Sequence, residues 1–297
     1  MGDAIVKLRS FIELTKPRQL ALLLLTMYGS YIVAGGPLDF ISLTKLTIMG
    51  FTAVGGVTAL NMYLDYDVDS LMKRTRKRPL PSGKLNLNEA LFGTIIFLVL
   101  GVTIAASINK YVLLAVLAGL YFDIIGYTEL TKRFTALNII LGSIAGAMPA
   151  LGGWAAGAGS ITLPGVLLAS IVFAWQPLHV WFLAYFLEDD YRIANIPLVP
   201  FNYNHRVFSI LVLTHLILMA VAVIVLVYYI NYGIITLILS MMFIILASLR
   251  VLKFYKNPSK EEALRIFKFA TPTIAVIYIF LPLELIFSNY ITIRLPL

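Results

Sequence analysis

Cysteine is absent from this 297-residue chain, and histidine occurs only three times. Without cysteine there are no disulfides, no thiolate metal centre, no cysteine nucleophile and no thioether-linked c-type haem. Charge is scarce as well: 13% of the residues are Asp, Glu, Lys or Arg, where a soluble domain carries about 25%. No polar stretch is long enough to form a soluble domain, although the length alone would allow two. In their place stand 60% hydrophobic residues and a mean hydropathy of +0.90. A surface this apolar faces lipid. The net charge of +8 would point to nucleic acid in a soluble protein, but in a membrane protein basic residues collect in cytoplasmic loops. Residues 1–18 are polar and basic. The apolar run that follows has no small-residue cleavage pattern, so it reads as a first transmembrane helix rather than a removable signal.

Crossing a bilayer takes about 20 apolar residues. Nine segments qualify, centred on 20–36, 43–63, 90–108, 111–127, 136–156, 163–187, 207–229, 232–252 and 267–288. The expected fold class is therefore all-α, a polytopic bundle of about nine transmembrane helices forming one domain over residues 1–297. With the N-terminus in the cytoplasm, 20 of the 23 Lys and Arg residues lie on the cytoplasmic side; only Lys45, Lys110 and Arg294 lie opposite. That asymmetry sets the expected orientation in a cell membrane and favours an odd number of spans. The loops after spans two and six hold most of the acids outside the C-terminal third. Four helices separate them, which predicts two four-helix halves plus a ninth helix. In span five, Gly142, Gly146, Ala150, Gly153 and Gly157 predict close helix packing through small faces.

Two polar constellations carry the chemistry. Asn61, Asp65 and Asp69 are spaced i, i+4, i+8 and share one helical face, while Asp67 points elsewhere. Carboxylates this close repel one another unless a cation lies between them. A hard ion that shares its ligands with substrate phosphate, Mg²⁺, suits oxygen donors of this kind. Directly after them, 73–84 carries Lys73, Arg74, Arg76, Lys77, Arg78 and Lys84. This is a positive-inside anchor, and its Arg76 and Arg78 are also equipped for bidentate phosphate binding. The second constellation, Glu188, Asp189 and Asp190, closes span six. Acids at a helix C-terminus oppose the helix dipole, which favours function over capping. Deeper in that span lies Trp175-Gln176-Pro177-Leu178-His179, and an ionisable residue within the membrane is a functional candidate. His205 and His215 are weaker candidates, and Asp123 and Glu284 carry no assigned role.

These residues resemble the UbiA superfamily of intramembrane prenyltransferases, whose NxxxDxxxD pattern matches Asn61, Asp65 and Asp69. The resemblance is narrowest to the heme O synthase branch. It is carried by Thr15 to Arg18, by Ala59 to Leu80, by Tyr127 to Arg133 with Asn138, by Gly146 to Pro149 with Gly153 and Trp154, and by Trp175 to His179 leading to Asp190, Tyr191, Ile196 and Pro197. Leu178 stands where the family usually has a second proline, and Asp189 where it often has a basic residue. The resemblance implies Mg²⁺ as cofactor, with farnesyl diphosphate and heme b as substrates. It further implies Asn61, Asp65, Asp69, Asp189 and Asp190 around the metal, Arg76, Arg78, Lys132 and Arg133 on the diphosphate, and His179 on the acceptor side. An apolar chamber lined by Tyr63, Tyr121 and Trp175 would keep an allylic cation from water. Two rivals stand beside this reading. One is a superfamily member that prenylates a quinone precursor or a glycerol lipid; the other is a secondary transporter with midplane cation sites.

Overall fold

The computed structural model of the chain describes residues 2–287. Arg294, counted above on the outer side, lies outside them. A short helix α1 (Gly2–Leu14) precedes α2 (Pro17–Val33), α3 (Phe40–Leu64) and the brief α4 (Tyr66–Leu71). Helices α5 (Leu87–Ile108), α6 (Lys110–Leu120), α7 (Asn138–Ala158) and α8 (Leu163–Phe186) follow. After α9 (Glu188–Ile193) and α10 (Val199–Asn202), the chain finishes with α11 (His205–Ile230), α12 (Ile234–Lys256) and α13 (Lys260–Phe287). Among the described residues eight helices, counting α6 with its extension to Glu129, are long and apolar enough to cross a membrane. The 17-residue α2 makes the ninth. All nine expected spans are present, and this is an integral membrane protein.

Each spanning helix packs against the next, and α13 returns to α2, so the nine form a closed ring. Contacts of α2 with α7 and of α8 with α13 fill its interior. Neither α7 from Asn138 to Gly157 nor α8 from Leu168 to Leu187 has a fully exposed residue. On α5 and α11, by contrast, Phe92, Ile96, Val99, Ile217, Val221 and Tyr228 project outward, as lipid-facing positions should.

Local chemistry sets the boundaries. A capping box between Asn86 and Glu89 starts α5. Asn109 turns the α5–α6 hairpin, its Oδ1 accepting from Tyr111 N and Val112 N while its Nδ2 donates to Ala155 O at 2.9 Å. The small face of α7 permits close approach: a Cβ at Gly153 would lie 2.0 Å from Met27 O, and one at Gly157 would lie 2.7 Å from Tyr31 O. Helix α12 begins after Gly233, which has no side chain to cap it. Glu284 of α13 supplies the cap, accepting from Ile235 N at 2.9 Å, from Thr236 N at 2.7 Å and from the Thr236 hydroxyl. This intramembrane carboxylate thus joins two helices and satisfies amides that lipid cannot.

One feature has no signature in the hydropathy. Helix α6 widens into a π-helix over Tyr121–Glu129. Its longer hydrogen-bond spacing lets Thr128 Oγ1 donate to Asp123 O at 2.8 Å and Thr131 Oγ1 donate to Gly126 O at 2.8 Å, each five residues back. It also carries Tyr121 outward, 54% exposed, so that this ring does not line an inner chamber.

Candidate active site

The acidic face of α3 continues past the helix end. Asp65 is the C-cap of α3, yet Asp65 N still donates to Asn61 O at 2.9 Å and Asp69 N to Asp65 O at 2.8 Å. The i+4 register therefore survives the break, and Asn61, Asp65 and Asp69 are all buried, at 7%, 3% and 4% exposure. Asp67 lies outside, 61% exposed, in a two-bond pair with Arg133 at 2.7 and 2.8 Å. That guanidinium holds the Asp67 carboxyl below its ordinary range.

The π-turn completes the wall opposite. Asn61 Nδ2 donates to Thr128 Oγ1 at 2.7 Å, which leaves the Asn61 Oδ1 uncommitted. Lys132 Nζ bonds Asp65 Oδ2, and the buried Asp65 Oδ1 has no partner. The same ammonium stands 5.5 Å from the centre of the Tyr127 ring. Arg78 Nη1 donates to both oxygens of Asp69, at 2.8 and 2.6 Å. Thr75 Oγ1 donates to Asp69 O at 2.9 Å and holds the basic loop against the helix.

Asp190 approaches from α9. Its two oxygens accept from the consecutive amides Lys73 N and Arg74 N, at 3.1 and 3.0 Å. It is buried, and it ties the basic loop to α9. Leu187 interrupts the helix between His179 and Asp190, so the two are not carried on one continuous helix. Asp189, expected beside the metal, is 79% exposed and pairs with Lys260 at 3.2 Å. Arg76 is exposed, and among the described residues its side chain makes no hydrogen bond, while Arg133 is spent on Asp67. Of the ten candidate residues, Asn61, Asp65, Asp69, Arg78 and Lys132 meet in one cluster, and Asp190 anchors the loop beside it. Asp189, Arg76 and Arg133 lie at its margin.

His179 sits deeper. Its ring stacks on Trp175 at 4.6 Å and lies 4.5 Å from Phe267, and its Nδ1 is buried without a partner. Trp175 is fixed by Nε1 donating to Ala270 O at 2.6 Å. His215 instead bonds its own helix at Leu211 O, 2.8 Å, and His205 packs on Tyr185 and Phe254.

Sequence reasoning gave Lys16 no role. It is a half-buried residue with φ of 49°, in the left-handed region, where it caps α2. Burial, together with the charges of Arg78 and Lys132, lowers its ammonium to about 8. A cation forced in among cations in this way makes a cluster that attracts an anion. The visible signal was its place in Thr15-Lys16-Pro17-Arg18, just before a span, where it was counted only as one of the cytoplasmic charges.

The donor set fits a hard divalent ion. It offers only carboxylate and amide oxygens, and the unpartnered Asp65 Oδ1 with the uncommitted Asn61 Oδ1 are ready ligands. Among the described residues no three His, Asp or Glu side chains converge to form a cage. Such a site suits an ion that draws its remaining ligands from a substrate phosphate.

Residues 22–272 match the UbiA prenyltransferase family. A protoheme IX farnesyltransferase of Aeropyrum pernix is 58% identical over 95% of this chain and 94% of its own length. Among solved structures, a digeranylgeranylglyceryl phosphate synthase superposes with a TM-score of 0.74 at 22% identity, over 93% of this chain and 98% of that one. A UbiA homolog from Archaeoglobus fulgidus, bound to GPP and Mg²⁺, gives 0.64 at 16% identity, over 92% and 99%. At those identities the two structures share the fold with this chain. The family match spans seven of the nine membrane helices in full, with most of α2 and the first part of α13, and includes the whole acidic cluster; the chain belongs to the UbiA prenyltransferase family.

Proposed function

We propose that this protein transfers the farnesyl group of farnesyl diphosphate to a vinyl group of heme b, giving heme O, at the cytoplasmic face of the cell membrane. The observation that carries this reading is the 58% identity to a protoheme IX farnesyltransferase over nearly the whole of both chains. The geometry is consistent with it. Asn61, Asp65 and Asp69, with Asp190 from the other half, would hold Mg²⁺. The ion would neutralise charge on the departing diphosphate.

The chain's own cations then have a double use. Lys132 and Arg78 are counterions to Asp65 and Asp69. Once those carboxylates face a metal, both side chains are free to donate to phosphate oxygens, and Lys16 lies beside them. Arg76 stands at the rim as a donor to an arriving diphosphate, and Arg133 would join it on leaving Asp67. Water would be kept away below this cluster by Trp175 and the buried faces of α7 and α8, whereas Tyr63 packs away from them against the cluster of Phe11 and Leu14. His179, set deeper on α8 with an uncommitted nitrogen, serves the acceptor.

The direct test is to incubate the membrane-embedded protein with Mg²⁺, farnesyl diphosphate and heme b and to read the product mass. A farnesylated, hydrated heme is expected. Transfer only to a quinone precursor or to a glycerol lipid would replace this reading with its runner-up. In well-folded His179→Ala protein, affinity for farnesyl diphosphate should stay within about threefold while transfer to heme falls by at least about 10²-fold. A parallel fall in both would assign His179 to packing alone.

A further inference from the structure

We propose that Gln176 is a positioning residue for the second half of the reaction: its amide holds the water that adds to the prenylated acceptor. This rests on the heme-farnesylating reading above.

The amide is built into the interior with unusual closeness. A Cβ at Gly146 would lie 1.6 Å from Gln176 Nε2 and 2.8 Å from its Cδ. The side chain therefore occupies the volume that any other residue at position 146 would fill. Despite that fixed seat, the amide makes no hydrogen bond within the described structure. A primary amide has two donors and two acceptor sites, and leaving them unmade inside a membrane protein is costly unless something else satisfies them.

Gln176 and Gly146 are both half-buried, on the two helices that have no exposed residue along their middle turns. On this proposal the exposed side of each opens to an inner space between the helices. Helix α7 gives the depth. Gly142 seats the Tyr127 ring, 3.3 Å from a Cβ there, and Lys132 lies over that same ring. Gly146 is one turn further in, about 6 Å along the axis. Three residues along α8, back toward the acidic cluster, stands His179 with its unpartnered Nδ1, and residues at that spacing are neighbours on a helix surface. From the acidic cluster inward the wall thus runs Lys132, Tyr127, His179, Gln176, and the last two each carry an uncommitted polar group.

The chemistry needs such a group. When the C1–O bond of the allylic diphosphate breaks, its electron pair leaves with the diphosphate. The vinyl π pair then forms the new C–C bond, and the vinyl carbon next to the porphyrin ring is left positive. That carbon has two fates: loss of a neighbouring proton to give an alkene, or capture of water to give an alcohol. The chamber is apolar, so water must be held there for capture to win. Gln176 Oε1 accepts from the water and orients its lone pair toward the cation. The C–O bond forms, and the proton released passes to His179 Nδ1.

The experiment reads product partition rather than rate. Unaltered protein, Gln176→Leu, Gln176→Glu and Gly146→Ala, each membrane-embedded, are given Mg²⁺, farnesyl diphosphate and heme b, and the farnesylated hemes are separated by mass. Gln176→Leu should raise the ratio of the product lacking one water to the hydrated product by at least about tenfold, the worth of one hydrogen bond to a reacting group. Gly146→Ala should shift it the same way, because the added methyl displaces an intact amide. Gln176→Glu, which still accepts from water, should restore most of the hydrated product. If Gln176→Leu is inactive, Gly146→Ala decides by the same ratio. An unchanged ratio in the active variants overturns the role of Gln176 while leaving the heme-farnesylating activity standing. Absence of any farnesylated heme from the unaltered protein overturns both.

Discussion

At the scale of single residues, partners sort three neighbouring acids into different duties. Asp65 and Asp69 are buried against Lys132 and Arg78, while Asp67 is exposed against Arg133. Asp65→Ala and Asp69→Ala should each lower turnover by at least about 10²-fold, because each removes stabilisation of the leaving group. Asp67→Ala should cost less than about threefold, since an exposed ion pair contributes little. Steady-state assays on the three variants decide this, and equal losses would undo the one-face arrangement. Lys16 leads to a pH prediction. Its folded-state pKa, about 8, lies below the ordinary lysine value of 10.5. Between those values the unfolded chain binds the proton more tightly, so stability rises with pH across that window and the cost is fully present below it. Thermal unfolding in detergent should show that Lys16→Met removes this rise. The same variant should bind farnesyl diphosphate more weakly by about tenfold, the loss of one charge-assisted hydrogen bond. A variant with the original pH profile and unaltered affinity would take Lys16 out of the site.

At the scale of elements, the site depends on loops held by side chains from distant helices. The basic loop is pinned to α9 through the two amides on Asp190 and to α4 through Thr75 and Arg78. Asp190→Ala removes the first tie, so trypsin should cut between Lys73 and Arg78 several-fold faster than in the unaltered protein. Cleavage at an unchanged rate would mean that α4 alone holds the loop. The π-helix is the other device of this scale. Its wider turn aims Thr128 at Asn61 and brings Lys132 under Asp65. Hydropathy could not reveal it, since Tyr121–Glu129 has ordinary helical composition and the register changes only through which carbonyl each hydroxyl finds. Glu284 was equally opaque: an acid in an apolar span acquires meaning only beside the uncapped start of α12.

At the scale of the whole molecule, the closed ring brings two separated sequences to one end of the bundle. Loops that carry the acids of α4 and α9 meet there because α3 and α8 both run toward that end. The split of Lys and Arg predicts that this end is cytoplasmic. A chain without cysteine allows a clean test. Single cysteines at Ser82 and Asn204 should label from the cytoplasm, and one at Asn231, in the short turn between α11 and α12, from outside. Labelling of Ser82 and Asn204 from opposite sides would separate the two halves of the site.

Much of this was written in one dimension. Nine apolar runs, the helical spacing of Asn61, Asp65 and Asp69, and the outward direction of Asp67 follow from composition and period, because lipid forces the backbone into helices and a helix has one repeat. Partner choice is a different kind of information. The sequence offers Lys132 and Arg133 side by side, yet one is buried on Asp65 and the other lies outside on Asp67. Asp189 and Asp190 are likewise adjacent, and they end on a surface lysine and on a pair of backbone amides. Neighbours in sequence point in different directions, about 100° apart on a helix such as α9, so a small rotation of one element against another decides which reaches the interior. That rotation is set by packing, by Gly153 and Gly157 against the α2 backbone and Gly146 beneath Gln176, and only the tertiary structure contains it.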